Sequence, residues 1–286
     1  MNMIRKPLTL ILAAQVTWVR GVSQCVVPST VRSTAASGSQ VYESKRAVSE
    51  YLLFHFGSSD DIMPYSFGPK SALEFPQRIA ELGAVHTANK RRALDLGCSV
   101  GGAAFHLSEH FDEVVGIDFS HHFVDAANQM KLDGKMGYQI LEQGQIFSER
   151  LARLPQNARP ERVTFAQGDA TNMPASLGTF DLIIASNLLC RLPQPKKFLD
   201  SVSKFLNVGG NLLLISPYSW LEEYTPKEDW VGALSNQYSY DALKEYMKEQ
   251  DVPLIETHRE DVPFLIREHQ RKFQYGVSDA IVFKRI

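Results

Sequence analysis

The chain has 286 residues, of which 44% are hydrophobic and 22% are charged, proportions typical of a globular protein with one large domain or two small ones. Its formal net charge of −2 argues against a broad basic surface for nucleic acid. The three cysteines, Cys25, Cys98 and Cys190, are too few and too scattered for a disulfide framework or a zinc site, so we expect no bound metal.

The first forty residues differ in composition from the rest of the chain. Two basic residues precede an apolar stretch over 8–19, a Ser/Thr-rich tract covers 29–39, and no acidic residue occurs before Glu43. This pattern predicts a targeting segment over 1–40 that leads to an organelle or the secretory route. The apolar stretch is too short to predict a stable membrane span. A secretory signal, a transit peptide and a disordered N-terminus on a cytoplasmic protein all stay open.

Hydrophobic periodicity and turn residues predict alternating helices and strands over the rest of the chain. The predicted helices cover 44–56, 75–82, 102–110, 123–131, 195–206 and 241–250. The predicted strands cover 93–96, 114–118, 163–165, 180–186, 211–215, 254–256 and 280–283. Gly83 and Gly134 are predicted to end two of the helices. Strands that alternate with helices indicate an α/β fold whose mostly parallel sheet carries helices on both faces.

The segment 92–101 has the most informative pattern in the chain. A short apolar strand contains Asp95, and Gly97, Ser99 and Gly101 form a turn before the next helix. Glycine and small residues in such a turn let the backbone approach a ligand closely. The second predicted strand ends at Asp118, and an acid at that position commonly binds a ribose diol. The sequence therefore predicts a site for a nucleoside-bearing cofactor.

Two further strand ends carry polar residues. Asp169 and Ala170 follow the third strand, and Asn187 follows the fourth. Because the carboxyl ends of parallel strands meet at one edge of a sheet, we expect all of these residues to lie together. Taken singly, Asp95 could cap backbone amides and Asp118 could cap a helix. The predicted cofactor-binding residues are Asp95, Gly97, Ser99, Gly101, Asp118, Asp169, Ala170 and Asn187.

The turn distinguishes between two kinds of cofactor. A dinucleotide site needs G-x-G-x-x-G, in which Gly97 and Gly102 fit but Ser99 replaces the middle glycine. That glycine lets the backbone approach a pyrophosphate, so its replacement disfavours NAD. S-adenosylmethionine (SAM) carries no phosphate, and the turn favours it.

Residues 90–216 resemble the class I SAM-dependent methyltransferases. Asp95-x-Gly97-x-Ser99-x-Gly101 matches their first motif with one substitution, and Asp118 matches their ribose-binding acid. The segments 168–170 and 180–187 match their adenine-side motif and their fourth motif. The resemblance implies a Rossmann-like α/β fold with a mostly parallel seven-stranded sheet, and SAM as cofactor.

The flanking segments resemble a narrower group within that superfamily. They include Tyr42-Glu-Ser-Lys45, 51–57 and Ser216-Pro-Tyr-Ser-Trp-Leu-Glu-Glu-Tyr-Thr-Pro226. Over 42–286 the chain resembles the methyltransferase domain of ovothiol synthase and the stand-alone mercaptohistidine methyltransferases, although Tyr275 replaces an expected tryptophan. The resemblance implies a methyltransferase domain over 41–286 that methylates an imidazole nitrogen of 5-thiohistidine in ovothiol biosynthesis.

The acceptor site is predicted from the loop that follows the fifth strand. Tyr218, Trp220, Glu222 and Tyr224, together with His55 from the first helix, are predicted to line it, because aromatic walls suit a flat ring. Glu222 and Glu223 are candidates to bind an α-amino group, and Arg191 is a candidate to bind an α-carboxylate. Alternatively, these aromatic residues are core beneath a long loop, and His55 is packed within its helix.

The expected partner is therefore a small molecule that resembles thiohistidine, and no nucleic acid. The oligomeric state does not follow from the sequence. Two alternatives stay open: a methyltransferase for another small-molecule acceptor, and a catalytically silent protein that binds SAM. The presence of Asp95, Asp118 and Asp169 argues against the silent alternative.

Overall fold

Buried apolar runs form the central strands, as β6 (Phe180–Ser186) illustrates. Leu182 and Ile184 belong to the apolar cluster on one face of the sheet, whereas Ile183 and Ala185 belong to the cluster on the other face. Side chains alternate between the faces of a strand, so a strand covered on both sides contains a continuous apolar run, here over 182–185. This is why a continuous apolar run predicts it.

The structure is a computed structural model that describes residues 42–232 and 236–286, so the predicted leader lies outside the described residues. Its helices are α1 (Lys45–Phe56), α2 (Ser59–Ile62), α3 (Phe75–His86), α4 (Gly102–Leu107), α5 (His121–Asp133), α6 (Pro195–Val202) and α7 (Ser239–Lys248). The remaining strands are β1 (Arg92–Leu96), β2 (Glu113–Asp118), β3 (Lys135–Gln143), β4 (Ile146–Arg153), β5 (Val163–Gln167), β7 (Leu206–Ser216), β8 (Leu254–His269) and β9 (Lys272–Arg285). Among residues 42–232 and 236–286, no helix has the length and apolar character needed to cross a membrane.

Seven strands form one sheet in the order β5-β2-β1-β6-β7-β9-β8. The pairs from β5 to β7 are parallel, and β9 is antiparallel to both of its neighbours, β7 and β8. The order reverses between β1 and β6, the point at which open α/β sheets bind ligands. The predicted fold class, mostly parallel and seven-stranded, is confirmed.

Helices cover both faces of this sheet, as predicted. One apolar cluster contains Ile79 of α3, Phe105 of α4 and Phe123 of α5. The cluster on the opposite face contains Phe198 of α6 and Leu243 of α7. The carboxyl edge of the sheet lies between these two layers and is left open for a site.

Two glycines predicted to end helices behave differently. Gly134 caps α5 with φ +69°, and its N–H donates to the Met130 carbonyl. Gly83, however, lies within α3, and a Cβ there would approach Leu182 Cδ2 to 2.9 Å. The prediction that the helix ends at Gly83 is wrong, because this glycine serves close packing of α3 on β6 rather than a turn.

The structure also contains two hairpins that the sequence patterns do not predict in full. β3 and β4 form a separate antiparallel pair that no predicted strand covers. β8 and β9 run over 16 and 14 residues, far beyond the short strands predicted at 254–256 and 280–283. Arg267 of β8, only 5% exposed, pairs with Glu142 of β3 and donates to the Asp61 carbonyl. This contact ties the two hairpins together.

Candidate active site

The loop after β1 is held in a strained conformation by the end of β2. Gly97 has φ +74° and Ser99 has φ +50°, and the latter costs a non-glycine residue about 1–2 kcal/mol. The Ser99 N–H donates to Asp118 Oδ2 at 2.8 Å, and the N–H groups of Gly97 and Cys98 donate to the Ile117 carbonyl. These bonds fix the loop at the edge of the sheet.

Gly101 plays a different part from its neighbours in this loop. Its φ is +88°, and a Cβ at this position would lie 2.5 Å from Phe165 Cζ. It does not line the cavity described below. The structure thus accounts for Gly101 by backbone conformation and packing on β5.

A cavity of about 440 Å³ opens at the carboxyl edge of the sheet, within the usual size range of small-molecule sites. Seven of the eight predicted cofactor residues line it, all except Gly101, and they come from the ends of four strands. These seven are Asp95, Gly97, Ser99, Asp118, Asp169, Ala170 and Asn187. The structure brings together residues that the sequence separates by up to 92 positions, from Asp95 to Asn187.

The part of the cavity beside these seven residues contains buried oxygen atoms that lack a partner among the described residues. They are Asp95 Oδ2, Ser99 Oγ and Ser186 Oγ. Burial, and then the nearby Asp118, raise the pKa of Asp95 to about 7. Burial raises the pKa of Asp118 to about 6, although backbone N–H groups of Ser120 and Ser99 oppose it. Unpaired buried oxygens are costly, so this part of the cavity suits a ligand that donates hydrogen bonds.

Strand β9 holds the ends of β6 and β7. Asn187 and Tyr218 have φ +51° and +49°. Ser278 Oγ donates to Asn187 Oδ1 at 2.7 Å, and the Tyr218 hydroxyl donates to Asp279 Oδ2 at 3.0 Å. Burial, together with Asp279, raises the pKa of Tyr218. The Tyr218 side chain therefore braces the strand end, while its neighbours Pro217 and Ser219 line the cavity.

Trp220 and Glu222, which we predicted to line the acceptor site, do not line this cavity. Trp220 Nε1 donates to Ser239 Oγ at 3.0 Å, and its ring stacks on Trp230 at 6.4 Å. Glu222 is exposed and pairs with Lys227 at 3.2 Å. Trp220 thus belongs to the core beneath the loop, the alternative that the sequence left open.

Tyr224 does not line the cavity, but it contacts Tyr42 and Arg191, which do. Its ring lies 6.4 Å from that of Tyr42, which lines the cavity, and the Arg191 guanidinium lies 4.7 Å from its centroid. Tyr224 is therefore placed one layer behind the cavity wall.

The cavity also has aromatic walls that the sequence analysis did not predict, and we call this part its aromatic end. These walls are formed by Tyr51 and Phe54 of α1, Phe75 of α3, Phe264 of β8 and Tyr275 of β9. Tyr51 shares a helix face with His55, which is a usable sequence pattern. Phe264 and Tyr275 are far from α1 in the sequence, and only the folded β8–β9 hairpin brings them to the site.

His55 lines the same end of the cavity, and its Nδ1 accepts a hydrogen bond from the Gly102 N–H at 3.0 Å. Burial, with a smaller contribution from His106, lowers the pKa of His55 to about 3. The ring is therefore neutral, and because Nδ1 accepts, its proton is on Nε2. His55 is placed to donate a hydrogen bond from Nε2 but not to act as a base.

Comparison with known proteins identifies the domain. The sequence profile of a family described as a methyltransferase domain matches residues 69–257, more than half of the chain. The chain belongs to this family. The chain shares 27% identity over 127 residues with ajmaline N-methyltransferase of Rauvolfia serpentina, a match that covers 44% of the chain and 36% of the relative. With phosphoethanolamine N-methyltransferase 1 of Triticum aestivum it shares 25% identity over 160 residues, 55% of the chain and 27% of the relative. The matches span about a third or less of these relatives.

Solved structures share the fold of this methyltransferase. The [4+2]-cyclase SpnF superposes with a TM-score of 0.53 at 15% identity, covering 86% of this chain and 94% of the cyclase. Magnesium protoporphyrin IX methyltransferase from Synechocystis PCC 6803, solved with bound SAH, superposes with a TM-score of 0.50 at 14% identity, covering 85% and 96%. The prediction of a class I SAM-dependent methyltransferase domain is confirmed. A cyclase on the same fold shows that the fold alone does not identify the reaction.

The residues at the open edge fit SAM as cofactor. The unpaired oxygens of Asp95, Ser99 and Ser186 are acceptors for amine and hydroxyl groups, and Asp118 stands at the position where such folds bind a ribose. Asp169 and Asn187 complete this part of the lining. The aromatic end of the same cavity is left for an acceptor.

Proposed function

We propose that the protein transfers a methyl group from SAM to an imidazole ring nitrogen of 5-thiohistidine, a step of ovothiol biosynthesis. Two observations support the proposal: the resemblance over 42–286, and the chemistry of the aromatic end of the cavity. When bound, SAM supplies an electrophilic methyl group on a positively charged sulfur. The remaining task of the protein is to bind, orient and desolvate the acceptor.

The observation that carries the proposal is that His55 and Tyr51 of the aromatic lining both stay neutral near neutral pH. The carboxylates that line the cavity are Asp95 in β1, Asp118 at the end of β2 and Asp169 just after β5, all at the cofactor edge. The pKa of His55 is lowered to about 3 by burial, and burial raises the pKa of Tyr51 well above its usual range. Neither side chain takes up a proton near neutral pH. The site therefore suits a nucleophile that already has a free lone pair, as a neutral imidazole does.

Orientation is the contribution that this end of the site makes. Tyr51, Phe54 and Phe264 form apolar walls that match a flat ring and exclude water. Alignment of two reacting groups can supply about 7–11 kcal/mol of the barrier reduction. The Nε2–H of His55 donates to the acceptor, either at the ring nitrogen that is not methylated or at the sulfur. Its fixed tautomer selects which edge of the acceptor faces the methyl group.

The relatives support a nitrogen acceptor and leave its identity open. Ajmaline N-methyltransferase and phosphoethanolamine N-methyltransferase act on nitrogen by name. Demethylmenaquinone methyltransferases match with comparable identity, 24% over 137 residues in Lactiplantibacillus plantarum. The matched segment thus occurs in methyltransferases named for several different acceptors.

The deciding experiment incubates the full-length chain with SAM and 5-thiohistidine. Mass spectrometry should show the gain of one methyl group, and NMR should place it on a ring nitrogen. Histidine should react more slowly by about 10- to 200-fold, because a group missing from a fitted site costs roughly 1–3 kcal/mol. Equal rates for the two acceptors, or a methyl group on sulfur or the α-amino nitrogen, would overturn the proposal. SAM binding without transfer would favour another acceptor or the silent alternative.

A further inference from the structure

Arg191 lines the cavity at the end of a short helical turn, Leu189–Arg191, that follows β6. Its Nη1 donates to the carbonyl oxygens of Cys190 at 3.0 Å and Ser219 at 2.8 Å. Its Nη2 donates to Ser219 Oγ at 3.2 Å. All of these partners are neutral.

The charge of Arg191 has no counter-ion among the described residues. None of the ion pairs found there includes Arg191. By contrast, Arg259 pairs with Asp279, and the buried Arg267 pairs with Glu142. A guanidinium that is partly buried against neutral groups and faces a cavity is a binding element for an anion.

Arg191 is charged and held in a fixed orientation. Arginine stays protonated throughout the physiological pH range, so the guanidinium of Arg191 keeps its charge although burial opposes it. The Tyr224 ring packs against the guanidinium at 4.7 Å. The hydrogen bonds to Cys190 and Ser219 set the orientation of the guanidinium without placing a negative charge beside it. The guanidinium is therefore preorganised for a ligand.

We propose that Arg191 binds the α-carboxylate of the acceptor, so that the enzyme selects amino-acid acceptors over amines of the same ring. The proposal rests on the proposed function for the identity of that ring. Guanidinium and carboxylate match in planar geometry and form paired hydrogen bonds.

The position of Arg191 favours the acceptor over the carboxylate of SAM itself as the source of this anion. Arg191 follows β6, and its partner Ser219 follows β7. The predicted cofactor acids follow or lie within β1, β2 and β5, on the other side of the point where the strand order reverses. Of the predicted cofactor residues, only the uncharged Asn187 lies in the half of the edge that contains Arg191.

The test compares kcat/KM for 5-thiohistidine and for the same molecule without its carboxylate, 5-thiohistamine. The full-length protein should prefer the carboxylate-bearing acceptor by roughly 10- to 100-fold, the range for a charge-assisted hydrogen-bonded pair. Arg191→Met should abolish this preference mainly by raising KM for thiohistidine, and Arg191→Lys should keep part of it. The matched control Arg153→Met removes an exposed arginine of β4 and should keep the full preference.

SAM affinity, measured by calorimetry on the same variants, separates the two sources of carboxylate. Arg191→Met should bind SAM within about twofold of the parent protein, whereas a loss of 10-fold or more would assign Arg191 to the cofactor and overturn the proposal. An unchanged preference for thiohistidine in Arg191→Met would also overturn it. If the parent protein methylates neither compound, the proposed function fails, and binding of histidine and histamine to the SAH complex then tests Arg191. Equal discrimination by the parent protein and Arg191→Met in that assay would overturn the carboxylate subsite on its own.

Discussion

The Asp118 carboxylate accepts a hydrogen bond from the Ser99 N–H at 2.8 Å through Oδ2, and one from the Ser120 N–H at 2.9 Å through Oδ1. A single side chain therefore joins the loop after β1 to the start of α5. The cofactor edge of the cavity depends on this junction, because Ser99 has a left-handed backbone conformation that needs support. Binding of SAM and order in this loop are thus expected to be coupled.

Replacing Asp118 with alanine should weaken SAM binding by about 1–3 kcal/mol, since it removes an acceptor and leaves the Ser99 N–H unpaired. Isothermal calorimetry measures the change. Asp112→Ala is the matched control, because Asp112 precedes the same strand but is exposed. Equal SAM affinity in both variants would contradict the role of Asp118.

The glycines Gly101 and Gly134 allow packing and backbone conformation to be separated. Both have positive φ, but a Cβ at Gly134 would meet nothing within 4 Å, whereas one at Gly101 would meet Phe165 at 2.5 Å. Gly134→Ala should lower the free energy of unfolding by about 1 kcal/mol from conformation alone. Gly101→Ala should lower it by about 2–4 kcal/mol, because overpacking adds to that cost. Urea denaturation compares them, and equal losses would mean that Phe165 moves aside freely.

His55 should make the free energy of unfolding fall at acidic pH. Its pKa is lowered to about 3 in the folded protein, so between pH 3 and 6.5 the unfolded chain binds the extra proton. Stability from this group is therefore lost as the pH falls below 6.5, at about 1.4 kcal/mol per pH unit. His55→Asn retains an acceptor near Nδ1 for the Gly102 N–H but does not titrate.

The measurement compares urea denaturation of the parent protein and His55→Asn at pH 6.5 and pH 5.0. The parent protein should lose about 2 kcal/mol more than the variant over this interval. Asp95 and Asp118 act in the opposite direction, because their raised pKa values favour the folded state at low pH, but they are common to both proteins. A parallel pH dependence in the two proteins would show that His55 takes up a proton without unfolding.

Tyr224 and Trp220 should affect different properties, although they are near neighbours in one aromatic segment. Tyr224→Ala removes the ring that packs against Tyr42 and Arg191, and should lower kcat/KM by about 10-fold per folded molecule. Trp220→Ala should lower the free energy of unfolding by about 2–4 kcal/mol, because it opens the apolar core and breaks the bond to Ser239. Activity normalised to the folded fraction separates the two effects. A larger loss of normalised activity in Trp220→Ala than in Tyr224→Ala would indicate that Trp220 lines the acceptor site after all.

The cofactor edge could be predicted because its determinants are local in sequence. Each strand end is a contiguous apolar run followed by a polar residue, as at Asp118 and Asn187, and parallel topology brings such ends to one edge. The exception, Gly101, shows the limit of this reasoning. Its positive φ is required, but only the packing of Phe165 shows that the glycine faces β5 rather than the cavity.

The two hairpins could not be predicted to the same extent, because their strands are buried unevenly. In β3 a short alternation is present, with Tyr138 and Ile140 buried and Gly137 and Gln139 exposed, but it covers only four residues and the sequence analysis did not use it. In β8 the buried charge of Arg267 interrupts the pattern and is accommodated by Glu142 of the other hairpin and by the Asp61 carbonyl. Arg267 and Glu142 are 125 positions apart in the sequence, so no local pattern predicts that they pair.

By itself, the sequence determined the α/β architecture, the cofactor loop and the acids beside it, because these depend on short apolar runs and turn residues. The tertiary structure alone decided which aromatic side chains meet the acceptor. Phe75, Phe264 and Tyr275 reach the cavity because the β8–β9 hairpin packs over α1 and α3, while Trp220 turns into the core. It also decided that His55 is neutral and that Arg191 has no counter-ion. Burial and pairing arise from contacts that the folded chain makes, and no local pattern of residues encodes them.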